Sequence, residues 1–427
     1  MVLKVLLMAL IVYIPNALHF PQSLGIKGFN VFNLLLLITI VAVVSSQRES
    51  STPAPLKGRF LAYYVILAMS LITAVLQGTH HLIDDITALK TAVAYSVLYF
   101  VAYHGVQDRE TIQKLVWVIL VVVFLMGLEI FREAAAVGFN PQKRMAGAFG
   151  DSVFAANYAA IFLEILIPVA VAVLLFGSGA RKVRLAAAAA VIFGVLGVFF
   201  TQSRTALASV AVTTLALALL RSKAMAALVV VAIVNYAAWV PESVHQRVAS
   251  TKQVDEYGME RFDESTESRT VIWEAAWELI KDYPMGVGLN QFRDRIDPFM
   301  PDWIKARDAH NHFILITTES GWIGGAVLVF LLFGLLGLGA RLYRMSGDDK
   351  DAKVLALGYM GAWAGVIMGN LTHSVIYAGE VMGLFWILSG LVARYSVILQ
   401  EESSAKAQEL AQTQQWGVPP RRRTAAS

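Results

Sequence analysis

Runs of about 20 consecutive apolar residues recur along this chain, separated by short polar stretches. A helix of that length crosses a hydrocarbon core about 30 Å thick. In such a solvent every backbone polar group must be paired internally, which leaves helices or a closed barrel. Barrel strands alternate apolar and polar residues. Residues 116–126 and 224–234 run apolar without alternation, so helices are predicted. The pattern places spans near 2–18, 31–44, 60–76, 89–103, 113–131, 153–176, 185–200, 205–220, 224–240, 313–338, 354–375 and 381–399. The expected architecture is an all-α polytopic membrane protein of about 12 transmembrane helices with a large helical outer loop. It divides into helices 1–9 over 1–240, the loop with its catalytic elements over 241–312, helices 10–12 over 313–400, and a disordered cytoplasmic tail over 401–427. The first run has no convincing small-residue cleavage site and is read as an uncleaved span rather than a signal peptide.

Composition agrees with this reading. The 427 residues are 57% hydrophobic and 15% charged, where soluble domains carry about a quarter charged residues. Lys and Arg gather in one set of alternate connections: Arg48, Lys57 and Arg59; Arg109 and Lys114; Arg181, Lys182 and Arg184; Arg221 and Lys223; Arg341, Arg344, Lys350 and Lys353. Arg421, Arg422 and Arg423 of the tail fall on the same side. The opposite connections hold fewer: Lys27, Lys90, Arg132, Lys143, Arg144 and Arg204. The positive-inside rule therefore puts both termini in the cytoplasm and the 241–308 loop in a periplasm. A net charge of +4, with no basic run interleaved with aromatics, gives no support to nucleic-acid binding. The absence of cysteine excludes disulfides and thiolate metal sites.

The long loop reads as structured. Over 268–282, Val271, Ala275 and Leu279, and Trp273, Trp277 and Ile280, recur at helical spacing, with Ser268 or Thr270 as the N-cap. Pro284, Gly286 and Gly288 end that helix. The loop holds nine Lys and Arg against fourteen Asp and Glu, a net charge of −5. Any anion site in it is therefore local, such as Arg269 near the beginning of the helix. Arg204, at a tight turn between two apolar spans on the side poor in basic residues, is either a headgroup anchor or an anion ligand. His310 precedes the next span, with His312 two residues on.

Two arginines bind a diphosphate in bidentate fashion, and a histidine serves as base near neutral pH. Together they suit attack by a hydroxyl on a carbon whose leaving group is a diphosphate. Arg132, Lys143 and Arg144 lie on the same side and are candidates to assist. His80, His81, Asp84 and Asp85 are metal ligands in type but sit in a short interfacial connection. Asp349-Lys350-Asp351 has an Asp-x-Asp form on the cytoplasmic side, where it reads as a solvated charge cluster. No metal and no cofactor is predicted. Glu129, Glu164, His373 and Glu380 lie within or near spans and receive no role.

At these residues a family resemblance emerges. His310-Asn311, followed by Gly321-Trp322-Ile323-Gly324, resembles the His-Asn and Gly-x-x-Gly pattern of the O-antigen ligase and polymerase superfamily. Ser268-Arg269 with Trp273, and Asp282-Tyr283-Pro284 with Gly286, Gly288, Gln291 and Phe292, are similar to that family's outer loop. Thr201-Gln202-Ser203-Arg204-Thr205 resembles its Ser-Arg element, and Gly147-Ala148-Phe149-Gly150 through Asn157-Tyr158 a weaker upstream one. The resemblance implies glycan transfer from an undecaprenyl-diphosphate carrier at the outer face of a bacterial inner membrane. It implies that Arg204 and Arg269 hold the diphosphate and that His310, favoured over His312 by its spacing to the glycines, takes the acceptor's proton. Asn311, Arg132, Lys143, Arg144 and Trp273 are the expected substrate-binding residues. Gly321 and Gly324 are read as allowing close helix packing. The leading expectation is an O-antigen ligase that joins a carrier-linked polysaccharide to lipid A–core, with membrane lipids as its surroundings. The alternatives are an O-antigen polymerase and a protein O-oligosaccharyltransferase. A transporter or flippase of lipid-linked glycan would instead line a path through the spans with charge.

Overall fold

The structure is a computed structural model that describes residues 2–25, 29–46, 52–152, 154–179, 181–238, 245, 252–254, 260–262, 264–301, 303 and 308–415. The chain is an all-α polytopic membrane protein. Among the described residues, ten helical stretches are long and apolar enough to cross a membrane, and two more apolar helices are shorter. In chain order the helices are α1 (Val2–Tyr13), α2 (Val31–Ser45), α3 (Lys57–Leu76), α4 (Leu82–Ser96), α5 (Leu98–Gly105) and α6 (Arg109–Ala136). There follow α7 (Ala155–Phe176), α8 (Arg181–Thr201), α9 (Arg204–Arg221) and α10 (Lys223–Val234). The long loop before α13 holds α11 (Glu264–Asp282) and α12 (Phe292–Ile296), and α13 (His312–Met345), α14 (Lys350–Thr372) and α15 (Gly379–Gln415) follow.

The span expected at 89–103 begins earlier, at Leu82, and is two helices that break at Val97. Asp84, Asp85 and Lys90 therefore belong to α4 rather than to a connection. The spans expected at 31–44 and 224–240 are the two shorter helices α2 and α10. The tail does not begin as disordered chain: α15 continues through Gln415, while 416–427, with Arg421, Arg422 and Arg423, lie outside the described residues. Within the loop, a two-stranded antiparallel hairpin, β1 (Lys252–Val254) with β2 (Glu260–Phe262), precedes α11.

A helix that is apolar all round belongs in the interior, and α7 and the membrane part of α15 are the most buried spans. Helix α7 packs against α8, α9 and α14, and α15 packs against α5, α13 and α14. With lipid as the solvent, helices associate by close packing of small residues rather than by the hydrophobic effect. On α14, a Cβ added at Gly361 would meet Pro168 Cβ at 2.6 Å, and one at Gly365 would meet the Glu164 carbonyl at 2.8 Å. Those glycines let α14 lie directly on the α7 backbone.

The feature that positions the site is a kink in α13. Gly321 has φ 69° and ψ −177°, a conformation open essentially only to glycine. The kink diverts backbone groups from the helix to the loop. The Thr318 carbonyl accepts from Val287 N–H at 2.9 Å, the Glu319 carbonyl accepts from Gly288 N–H at 2.9 Å and from Ser70 Oγ at 2.8 Å, and Trp322 N–H reaches the Pro284 carbonyl at 3.3 Å. Leu289 N–H adds a bond to the Ser70 carbonyl of α3 at 3.0 Å. Helix packing is thus not the role of Gly321; it is the seat on which residues 284–289 dock. Buried Asp85 holds the continuation, accepting from Thr79 Oγ1 at 2.7 Å, Asn290 Nδ2 at 2.9 Å and Gln291 Nε2 at 3.0 Å. That answers for Asp85 as a structural acceptor rather than a metal ligand.

Candidate functional site

Helix ends α6, α8 and α14, and helix starts α7, α9, α13 and α15, share one end of the bundle with the loop. The loop helix α11 turns Ile272, Ala275, Ala276 and Leu279 into a small apolar core with Val287, Phe292, Ile296 and Ala309. Its N-terminus is four residues earlier than expected, at Glu264. Ser268 and Thr270 are therefore interior residues and not caps, and Thr270 Oγ1 bonds back to the Thr266 carbonyl at 3.3 Å. Arg269 stands in the second turn. Trp273 Nε1 donates to the Ala309 carbonyl at 2.9 Å, so this tryptophan fastens α11 to the residue before His310. Trp277 and Trp303 are exposed, and the Trp277 ring meets Trp322 edge-on at 5.7 Å.

The turn into α13 divides its labour between three residues. Asn311 is the N-cap: its Oδ1 accepts from Phe313 N–H at 2.9 Å and Ile314 N–H at 3.2 Å. His312 is 0% exposed, with its ring edge-on to Tyr377 at 4.4 Å. His310 adopts a left-handed φ of 50°, which turns it out of the helix, and its side chain is 23% exposed. Of the two histidines, His310 is the one a substrate can reach. Its Nδ1 lies 3.6 Å from Asp308 Oδ2, within ion-pair range but long for a hydrogen bond. Burial holds His310 below the usual histidine range; Asp308 pulls it upward and the Arg269 charge pushes it down. The ring is therefore neutral, and able to accept a proton, at neutral pH.

Arg144 is built in from the opposite side. Gln202, with a left-handed φ of 54°, ends α8 and donates through Nε2 to the carbonyls of Pro141 at 2.9 Å and Lys143 at 3.1 Å. Arg144 Nε then donates to the Thr201 carbonyl at 2.8 Å and Nη2 to Asn157 Oδ1 at 2.6 Å. Glu133 Oε2 accepts from the N–H groups of Ala146 and Gly147 at 3.0 and 2.7 Å. Ser203 caps α9, and Arg204 is its first residue, three positions from the carbonyl that holds Arg144. By contrast, Lys143 is exposed. Arg132, also exposed, lines a groove between α1 and α6 with Asn16 and Glu129.

The sequence left His373 unassigned, and the structure brings it to this place. It lies just past the end of α14 and is 3% exposed. Its ring centroid is 6.4 Å from that of His310. Burial, with the charges of Arg269, His310 and Arg144, pushes it down to about 3. Arg144, Arg269, His310 and His373 are thus one cluster, with Asp308 at its edge. The only signal in the sequence was an ionisable residue at a span end. Glu164, one of the other unassigned residues, is wholly buried beside Gly369. Glu129 pairs with His19 at 3.8 Å, and Glu380 lines a separate cavity of about 170 Å³ with Lys90, Thr91 and Tyr95. At the other end of the bundle, Asp349 is bonded to Arg109 at 2.7 Å and to Tyr395 at 3.1 Å.

Comparison with known families finds one match. Residues 188–329 match the family model described as O-antigen ligase. Over that third of the chain the protein is similar to the O-antigen ligase family. The matched segment runs from α8 into α13 and contains Arg204, Arg269, His310 and Gly321, while Arg144 and His373 lie outside it. The match supports a glycosyl-transferring activity of the O-antigen ligase and polymerase type, and the ten long apolar helices among the described residues support a place in a membrane. No curated protein matches the chain.

Proposed function

We propose that the protein is an O-antigen ligase, moving a polysaccharide from undecaprenyl diphosphate to the lipid A–core oligosaccharide at the periplasmic face of the inner membrane. The observation that carries the reading is the neutral, accessible His310 between Asp308 and the charge of Arg269, inside the segment that the family shares. Arg269 and Arg204 bind the diphosphate, with Arg144 as a third cation on a rigid mount. The acceptor hydroxyl oxygen attacks the anomeric carbon as the bond from that carbon to the diphosphate oxygen breaks, inverting configuration. Nε2 of His310 takes the hydroxyl proton, and Asp308 stabilises the imidazolium that forms. The guanidinium groups stabilise the charge that develops on the departing undecaprenyl diphosphate. The reaction calls for no nucleotide, metal or cofactor. The four parts proposed for the chain are the helices over 1–240, the loop over 241–312, the helices over 313–400 and the polar tail over 401–427. The basic ends of α3, α6, α8, α10 and α14, at Lys57, Arg109, Arg181, Lys223 and Lys350, support a cytoplasmic location for the end of the bundle opposite the site.

Polymerase and protein O-oligosaccharyltransferase share this donor chemistry and differ in acceptor. Complementation separates them. In a ligase-deficient strain the gene should restore polysaccharide on lipid A–core. Failure there, with polysaccharide chains restored in a polymerase-deficient strain, would make it a polymerase.

A further inference from the structure

His373 is packed as a binding group rather than as a filler of space. It stands at the C-cap of α14, and its Nε2 has no hydrogen-bond partner among the described residues, although the residue is 3% exposed. Buried ring nitrogens in folded proteins are nearly always hydrogen-bonded. Its other nitrogen, Nδ1, lies 3.1 Å from Thr372 Oγ1. The alternative acceptors of that hydroxyl, the carbonyls of Gly369 and Met368, are at 3.4 and 3.5 Å. Where the hydroxyl donates to Nδ1, the nearest of these partners, the ring carries its proton on Nε2. Nε2–H is then a donor. The groups around it are the His310 ring, 6.4 Å away at 80°, and the guanidinium charges of Arg269 and Arg144. Arg144 is tied down by bonds to Thr201 and Asn157, so it approaches this corner in one orientation. Two cations and a neutral N–H donor gathered in a poorly solvated corner form an anion-binding arrangement.

We propose that Nε2–H of His373 donates a hydrogen bond to a phosphate oxygen of the carrier diphosphate, held between Arg269 and Arg144. The site thus has two histidines with different tasks: His310 handles the acceptor's proton and His373 grips the donor. The proposal rests on the diphosphate reading above and adds a binding residue from outside the family-matched segment.

The test uses the full-length protein purified in detergent, with inorganic diphosphate as the binding probe and a lipid-diphosphate glycan as the donor. His373→Phe keeps the ring volume and removes the donor; His373→Gln keeps an N–H near the Nε2 position. Losing a hydrogen bond to a charged group should weaken diphosphate binding about tenfold or more and raise the donor KM similarly. The kcat should stay within about threefold, and His373→Gln should recover most of the affinity. Equal behaviour of the Phe and Gln variants, or a fall in kcat at unchanged KM and unchanged diphosphate binding, would overturn the proposal. Should His373→Phe not fold, Thr372→Val, which releases the tautomer, gives the same test: unaltered diphosphate affinity there counts against the proposal. Arg269→Ala separates the two levels. If it abolishes diphosphate binding while His373→Phe does not, only the role of His373 fails; if neither variant affects binding, the diphosphate reading itself fails.

Discussion

Gly321→Ala perturbs the structure at the point where the loop is seated on the membrane domain. Two costs combine. First, alanine must adopt φ 69° and ψ −177°, a region that costs a residue with a side chain about 1–3 kcal/mol. Second, its Cβ would lie 2.6 Å from the Pro284 carbonyl oxygen and 2.7 Å from the Met285 carbonyl carbon, both backbone atoms that a rotamer change cannot move. Retreat of that segment stretches three bonds, Trp322 to Pro284, Val287 to Thr318 and Gly288 to Glu319. Each is worth about 0.5–1.5 kcal/mol. The sum is about 2.5–7.5 kcal/mol, at or above what most single substitutions produce. A loop seated by these contacts should lift from the kink, carrying α11, Trp273 and Arg269 with it. The assay is turnover together with limited proteolysis of the 241–308 segment, with Gly337→Ala as control because nothing lies within 4 Å of its added Cβ. Gly321→Ala should lose more than tenfold in kcat/KM and be cut faster in the loop, while the control matches the parent. Activity within twofold and an unchanged cleavage rate would refute the reasoning.

Three further outcomes follow from the geometry. Asn311→Ala removes the acceptor for two N–H groups at the start of α13 and should cost about 0.5–2 kcal/mol, lowering the melting temperature, whereas Asn311→Asp should preserve it. Trp273→Phe should lower kcat several-fold with little effect on apolar packing, because only its bond to the Ala309 carbonyl is lost; a normal kcat would deny Trp273 its positioning role. The acid limb of the kcat/KM profile should lie below the ordinary histidine value, since burial and Arg269 outweigh Asp308 at His310. Asp308→Asn removes the upward influence and should move that limb to still lower pH, and a move upward would contradict the assignment.

Much of the fold is legible because the apolar runs are long and the solvent permits only helices. The errors lie where structure depends on partners distant in the chain. Ser268 resembles an N-cap locally, yet the helix already begins at Glu264, which leaves Ser268 in its interior. Gly321 resembles a helix-packing glycine until residues 284–289 are seen to take the carbonyls it releases. Asn311 carried a readable signal, an asparagine directly before an apolar helical run, but it was read as a ligand within the motif. The site was legible in part for the same reason. Arg269 and His310 stand in local motifs, and, like Arg132 and Lys143, Arg144 is expected to bind substrate from its charge and its side of the membrane alone. Its bonds to Thr201 and Asn157 join three separate elements. Nothing local connects residue 373 to residue 310; only the packing of α13, α14 and α15 brings them together.

The central claim is that Arg269 and His310 act on a lipid-diphosphate donor in transferring its glycan. The direct measurement is single-turnover transfer by purified protein, given undecaprenyl-diphosphate glycan and lipid A–core, for the parent, Arg269→Ala and His310→Ala. The account predicts joined glycan and released undecaprenyl diphosphate from the parent, also with a chelator present. It predicts a loss of about 100-fold or more in the transfer rate of His310→Ala and weakened donor binding in Arg269→Ala. Parent-like turnover in both variants would contradict it.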